Sequence, residues 1–88
     1  MTTSDRIELT ILTNLIYNED YTRKVLPFLK AFYFSKREER ILFGEIESFV
    51  SKYKNLPTKE TLLIELGQRK DINDEELKGV KELLNSLV

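Results

Sequence analysis

The residue types that most often carry catalysis are missing from this chain. It contains no His and no Cys, which removes the commonest general base, the commonest transition-metal ligand, the cysteine nucleophile, the thiolate zinc site and the disulfide. Nucleophilic triads built on His fail for the same reason. Three glycines, Gly44, Gly67 and Gly79, stand too far apart to form a loop that cradles phosphate. Carboxylates do cluster, at Glu38/Glu39 and at Asp74-Glu75-Glu76, but both groups open helices, where capping and the helix dipole explain them. Asp71, Asp74 and Glu75 lack the alternating ligands and central glycine of a calcium loop. No catalytic residue, cofactor or metal is expected.

What remains is recognition. From Arg23 to Arg40 the chain carries six bases (Arg23, Lys24, Lys30, Lys36, Arg37 and Arg40) against two acids, Glu38 and Glu39. Phe28, Phe32, Tyr33 and Phe34 interleave with them, a mixture of rings and cations that looks like a groove for single-stranded nucleic acid. The simpler reading makes the rings core and the bases a solvated rim. A net charge of -1 also argues against a strongly cationic nucleic-acid binder. A helix-turn-helix would need a basic recognition helix, and the candidates starting at Thr58 and Asn73 are neutral to acidic. Tyr17, Tyr21 and Tyr53 are amphipathic residues at helix ends, suited to an interface or to the margin of a core.

The elements that would position these residues follow from apolar spacing. Eighty-eight residues suffice for one small domain. Ile7, Ile11, Leu12, Leu15 and Ile16 predict a helix over 5–17, capped by Thr3, Ser4 or Asp5. Asp20 can cap a short second helix, which Pro27 must kink or end. Ser35 and Glu38 form a capping box for the longest helix, to about Lys54, with an apolar face of Leu42, Phe43, Ile46, Phe49, Val50 and Tyr53. Its wet side is assigned to Glu38, Glu39, Arg40, Glu45, Glu47, Ser48, Ser51 and Lys52. Asn55 suits the left-handed stop, and Pro57 with Thr58 starts the next helix, ended by Gly67. Asn73 and Glu76 cap a final helix that runs to the last residue. Its Leu77, Val80, Leu84 and Leu87 form a seam, packed inside the bundle or turned to a partner. The result is an all-α fold, a compact bundle of about five helices in a single domain spanning 1–88.

Taken in order, these segments resemble the N-terminal domain of DnaB-type replicative helicases, most closely the T-even-like phage branch. The matching positions are Leu12, Leu15 and Ile16; Val25 and Leu26; Tyr33 and Phe34; Phe43 and Ile46; and Pro57 with Leu62 and Leu66. The stretch "GVKELLNSL" (residues 79–87) is similar as well. The resemblance runs from about Ile7 to Leu87 and rests on core-forming residues rather than on a catalytic signature.

The resemblance implies a non-catalytic collar domain, with the ATPase motor in a separate C-terminal domain. Its implied partners are other helicase subunits, primase and a helicase loader, with no base-specific DNA contact. It also implies a longer chain, since the family follows this bundle with a helical hairpin, and the final pattern breaks off at Leu87-Val88. The residues assigned to partner contact are Tyr17, Tyr21, Lys36, Arg37 and Arg40, with Leu77, Val80, Leu84 and Leu87 on the last helix. The alternative is a free-standing small phage protein that binds single-stranded nucleic acid or acts as a helical adaptor. No basic leader or membrane-length apolar run is visible, so the cytoplasm, that of the host for a phage protein, is the expected location.

Overall fold

Among the described residues five α-helices fold into one bundle, three of them packed on the longest. The computed structural model describes residues 3–87, with side chains from Ile7 to Leu87. The helices are α1 (Thr3–Tyr17), α2 (Glu19–Val25), α3 (Arg37–Tyr53), α4 (Lys59–Gly67) and α5 (Asp74–Ser86), with two 3-10 turns, Leu26–Phe28 and Ala31–Tyr33, between α2 and α3. There is no strand among the described residues. α3 packs against α1, α4 and α5, while α2 lies on α1 and α4 meets α5. The Cα radius of gyration is 12.1 Å, about the 12 Å that a compact domain of this length has.

Local chemistry explains most boundaries. α1 begins at Thr3, ahead of the expected start, and its expected cap falls on side chains outside the described residues. α2 is capped by Asn18, not Asp20: the Asn18 Oδ1 accepts the Tyr21 N–H at 3.1 Å. The break between α1 and α2 is therefore a single residue. Buried Thr22 secures the pair by donating its hydroxyl to the Leu15 carbonyl at 2.8 Å. Pro27 stops α2 as expected and sits in the first 3-10 turn.

The start of α3 differs from expectation by one residue. Lys36 is the N-cap, and its N–H is taken by the Glu39 carboxylate at 3.4 Å. Ser35 cannot serve because its N–H and hydroxyl both donate to Glu8, at 2.6 and 3.0 Å. Glu39, assigned to the wet side, is buried. At the other end Lys54, not Asn55, takes the left-handed conformation, with φ 55°, a placement that costs an L-residue roughly 1–2 kcal/mol. Thr58 and Asn73 cap α4 and α5 as expected, the latter with the reciprocal Asn73 N–H to Glu76 bond. α5 ends at Ser86 rather than at the last residue.

The core is one cluster, centred on Leu12, Leu15, Leu42, Phe43, Ile46 and Leu62, with Phe34 closing one side. The expected face of α3 is buried through Leu42, Phe43 and Ile46 and fades outward. Phe49 and Val50 are half-buried and Tyr53 is exposed. Ile7, assigned to the apolar stripe of α1, is exposed. On α5 the seam faces inward. Val80, Leu84 and Leu87 are buried and Leu77 is partly buried against the core, so the seam packs inside the bundle.

Candidate interaction surface

The connection between α2 and α3 carries the most unusual surface. Four aromatics occupy positions 28–34, and only one enters the core. Phe34 is 1% exposed and lies 5.2 Å from the Phe43 ring, whereas Phe28, Phe32 and Tyr33 are 75%, 77% and 52% exposed. The expectation that these rings are core fails for three of the four. The reason is the backbone. Two 3-10 turns joined by extended residues have no continuous face, so consecutive side chains leave in different directions.

The outward rings are held on a fixed mount. Glu8 of α1 accepts both donors of Ser35, and Arg40 of α3 donates from Nη1 to the Phe34 and Ser35 carbonyls at 2.9 and 2.8 Å. Residues 34 and 35 are thus tied to two helices. Phe32 and Tyr33 touch edge-to-face at a centroid distance of 4.8 Å. Glu8 is buried although it lies off the apolar stripe read for α1. Its partner is 27 residues away in sequence, so no local pattern could have named it. The crowding of four rings into seven residues was the one available signal that some would stay outside.

The predicted cations divide by role. Arg40 is committed to the two carbonyls, and Arg37 is ion-paired through Nε with Glu76, joining the starts of α3 and α5. Lys36 is exposed and makes no ion pair among the described residues. Tyr17 is half exposed and donates its hydroxyl to the Leu87 carbonyl at 3.3 Å, closing α1 onto the end of α5. Tyr21 is half-buried against the core. The structure therefore does not gather Tyr17, Tyr21, Lys36, Arg37 and Arg40 into one site.

An open trough of about 610 Å³ runs between α3 and α4, lined by Arg37, Arg40, Gly44, Glu45, Lys52, Glu65 and Arg69 among others. Its charges are largely spent internally. Arg69 bonds Asp71 at 2.6 Å and Glu45 at 3.4 Å. Burial raises the Glu45 carboxyl above the usual range, with Arg69 opposing. The Arg69 guanidinium holds Asp71 down to about 2. Glu76 is lowered by the Asn73 N–H and then by Arg37. The described residues hold no group of three or more His, Cys, Asp or Glu that could bind a metal, and no helix among them is long and apolar enough to cross a membrane.

No family model matches the chain, and no solved structure does. Among curated proteins, the chain is similar to a DnaB-like replicative helicase of Enterobacteria phage T4, at 31% identity over 77 residues. That alignment takes in 88% of this chain but only 16% of the helicase, so the chain spans about a sixth of the length of the relative that it matches.

Proposed function

We propose that this chain is a non-catalytic N-terminal collar domain of a phage replicative DNA helicase, serving assembly of the ring and docking of primase or accessory replication proteins. The observation that carries the proposal is the extent of the similarity: nearly the whole chain aligns with a small part of one replicative helicase. A docking role needs no reactive group. It needs a rigid bundle with complementary surface, and α3, fixed between α1, α4 and α5, supplies the rigidity.

The test is competition. Added in excess to a reaction in which the full-length helicase stimulates primase, the chain is expected to lower primer synthesis by occupying shared contacts. Lys36→Glu together with Arg37→Glu is expected to weaken that inhibition, because both side chains are exposed. A chain that neither inhibits at any concentration nor associates with the helicase in sedimentation would overturn the proposal.

A further inference from the structure

We propose that the corner formed by Phe28, Phe32 and Tyr33, flanked by Lys24, Lys30 and Lys36, binds single-stranded nucleic acid by stacking bases on its rings. The inference does not depend on the collar reading; it rests on three observations. The first is exposure: Phe28 and Phe32 keep three-quarters of their surface in water, although burying a phenylalanine side chain is worth roughly 1.5–3 kcal/mol. Phe32 and Tyr33 touch edge-to-face, and exposed apolar surface of this kind marks contact sites.

The second is charge. From residue 21 to residue 37 the chain has five bases and no acid, in a protein whose net charge is -1. Arg23 is paired with Glu19 and Arg37 with Glu76, while Lys24, Lys30 and Lys36 are exposed and make no ion pair among the described residues. Lys30 lies between the two phenylalanines in sequence and the other two lysines bracket them. A partner that presents flat apolar faces at regular intervals along a polyanion matches this arrangement. A second copy of the chain matches it poorly, because pairing the rings would bring two sets of unpaired lysines together.

The third is the mount. The Glu8 and Arg40 bonds fix residues 34 and 35, next in sequence to Phe32 and Tyr33, so little ordering of the backbone there remains to be done on binding. Stacking of this type tolerates any base, since each has a π-face. The expected ligand is therefore a flexible single strand, bound with little sequence preference, and a duplex with its bases already stacked is a poor one.

The experiment is fluorescence anisotropy with a labelled oligothymidylate of about a dozen nucleotides, titrated with the 88-residue chain over a salt series. Three lysines on phosphates give a log–log salt slope of about −2, so affinity falls roughly twentyfold between about 50 and about 200 mM salt. Phe32→Ala is expected to weaken binding roughly fivefold to a hundredfold without changing the slope, and Lys30→Gln to reduce the slope by about 0.7. Both side chains are exposed, so unchanged circular dichroism melts will verify folding. Absence of binding at the lowest salt overturns the proposal, as does wild-type affinity in Phe28→Ala and Phe32→Ala. It is also overturned if the chain sediments as a dimer that Phe32→Ala dissociates, for the rings then serve self-association. None of these failures touches the primase competition result.

Discussion

Phe34 and Phe32 are two residues apart and have opposite fates. Phe34 is sealed against Phe43 beneath α3, while Phe32 stands almost fully in water. Nothing in their chemistry separates them; the backbone does. In α3 and α5 each apolar residue recurs on one face, so burial is shared along the helix. Between Leu26 and Ser35 the turns change direction every few residues, so Leu26 and Phe34 enter the core while Phe28, Phe32 and Tyr33 stay outside. The seam of α5 and the aromatic corner thus show that apolar spacing places a residue in the core more surely where the backbone is periodic.

The sharpest way to break this comparison is to truncate both rings. Phe34→Ala is expected to cost about 3–5 kcal/mol, through lost transfer energy and a cavity beside Phe43. Phe32→Ala is expected to stay within about 0.5 kcal/mol of the parent, as exposed substitutions usually do. Urea unfolding of the two variants measures the difference. Similar losses for both would mean that Phe32 packs in solution and that the corner is not open.

The anchor itself comes next. Glu8→Ala leaves the Ser35 N–H and hydroxyl without the carboxylate that accepts them at 2.6 and 3.0 Å. A hydrogen bond to a charged group contributes about 1.5–3 kcal/mol, and the loss here is smaller because Ser35 is exposed and water can replace Glu8. Hydrogen exchange at the Ser35 amide is expected to speed up more than exchange in the middle of α3. Equal acceleration at both would show that Glu8 supports the whole bundle rather than the mount of the rings.

These same residues show what the sequence could disclose. The caps of α4 and α5 were readable because donor and acceptor lie three residues apart at Thr58–Thr61 and Asn73–Glu76. The box at Ser35 was misplaced by one residue because its donors are claimed from α1, a competitor that only the tertiary fold brings near. The left-handed stop at Lys54 was missed because residue preference favours Asn55, one position later. Of the candidate site, the mixture of rings and cations was legible. Which cations were already engaged was not, since Arg37 and Arg40 find their partners in Glu76 and in two backbone carbonyls.

The glycines refine the comparison at smaller cost. A Cβ on Gly44, in the open trough along α3, meets nothing within 4 Å. Gly44→Ala is therefore expected to stabilise the chain by about 0.5–1 kcal/mol, the usual gain from removing glycine from a helix interior. On α5 there is less room: a Cβ at Gly79 lies 3.0 Å from the Glu38 Cγ. Gly79→Ala is expected to gain less, by as much as the Glu38 side chain must give way. Thermal melts of the two variants rank them, and a larger gain at Gly79 would mean that Glu38 is already mobile there.

The smallest expected effect is electrostatic and lies at the far end of the trough. Arg69 holds Asp71 at about 2, below its ordinary 3.8. A carboxyl lowered in the folded state adds stability that is complete above its unfolded pKa and lost as pH falls through the folded one. The contribution of Asp71 should therefore vanish between about pH 4 and about pH 2. It is small, because Asp71 is exposed and solvent screens the pair. Glu45 works in the opposite sense: burial raises its pKa, so protonation relieves a cost as pH falls. Arg69→Gln separates the two in a carboxyl titration followed by nuclear magnetic resonance. Asp71 is expected to return towards its ordinary value, while Glu45, having lost the cation that opposed its burial, is expected to move further up. Both carboxyls are thus expected to move up, and a shift in one alone would mean that Arg69 bonds only that one in solution.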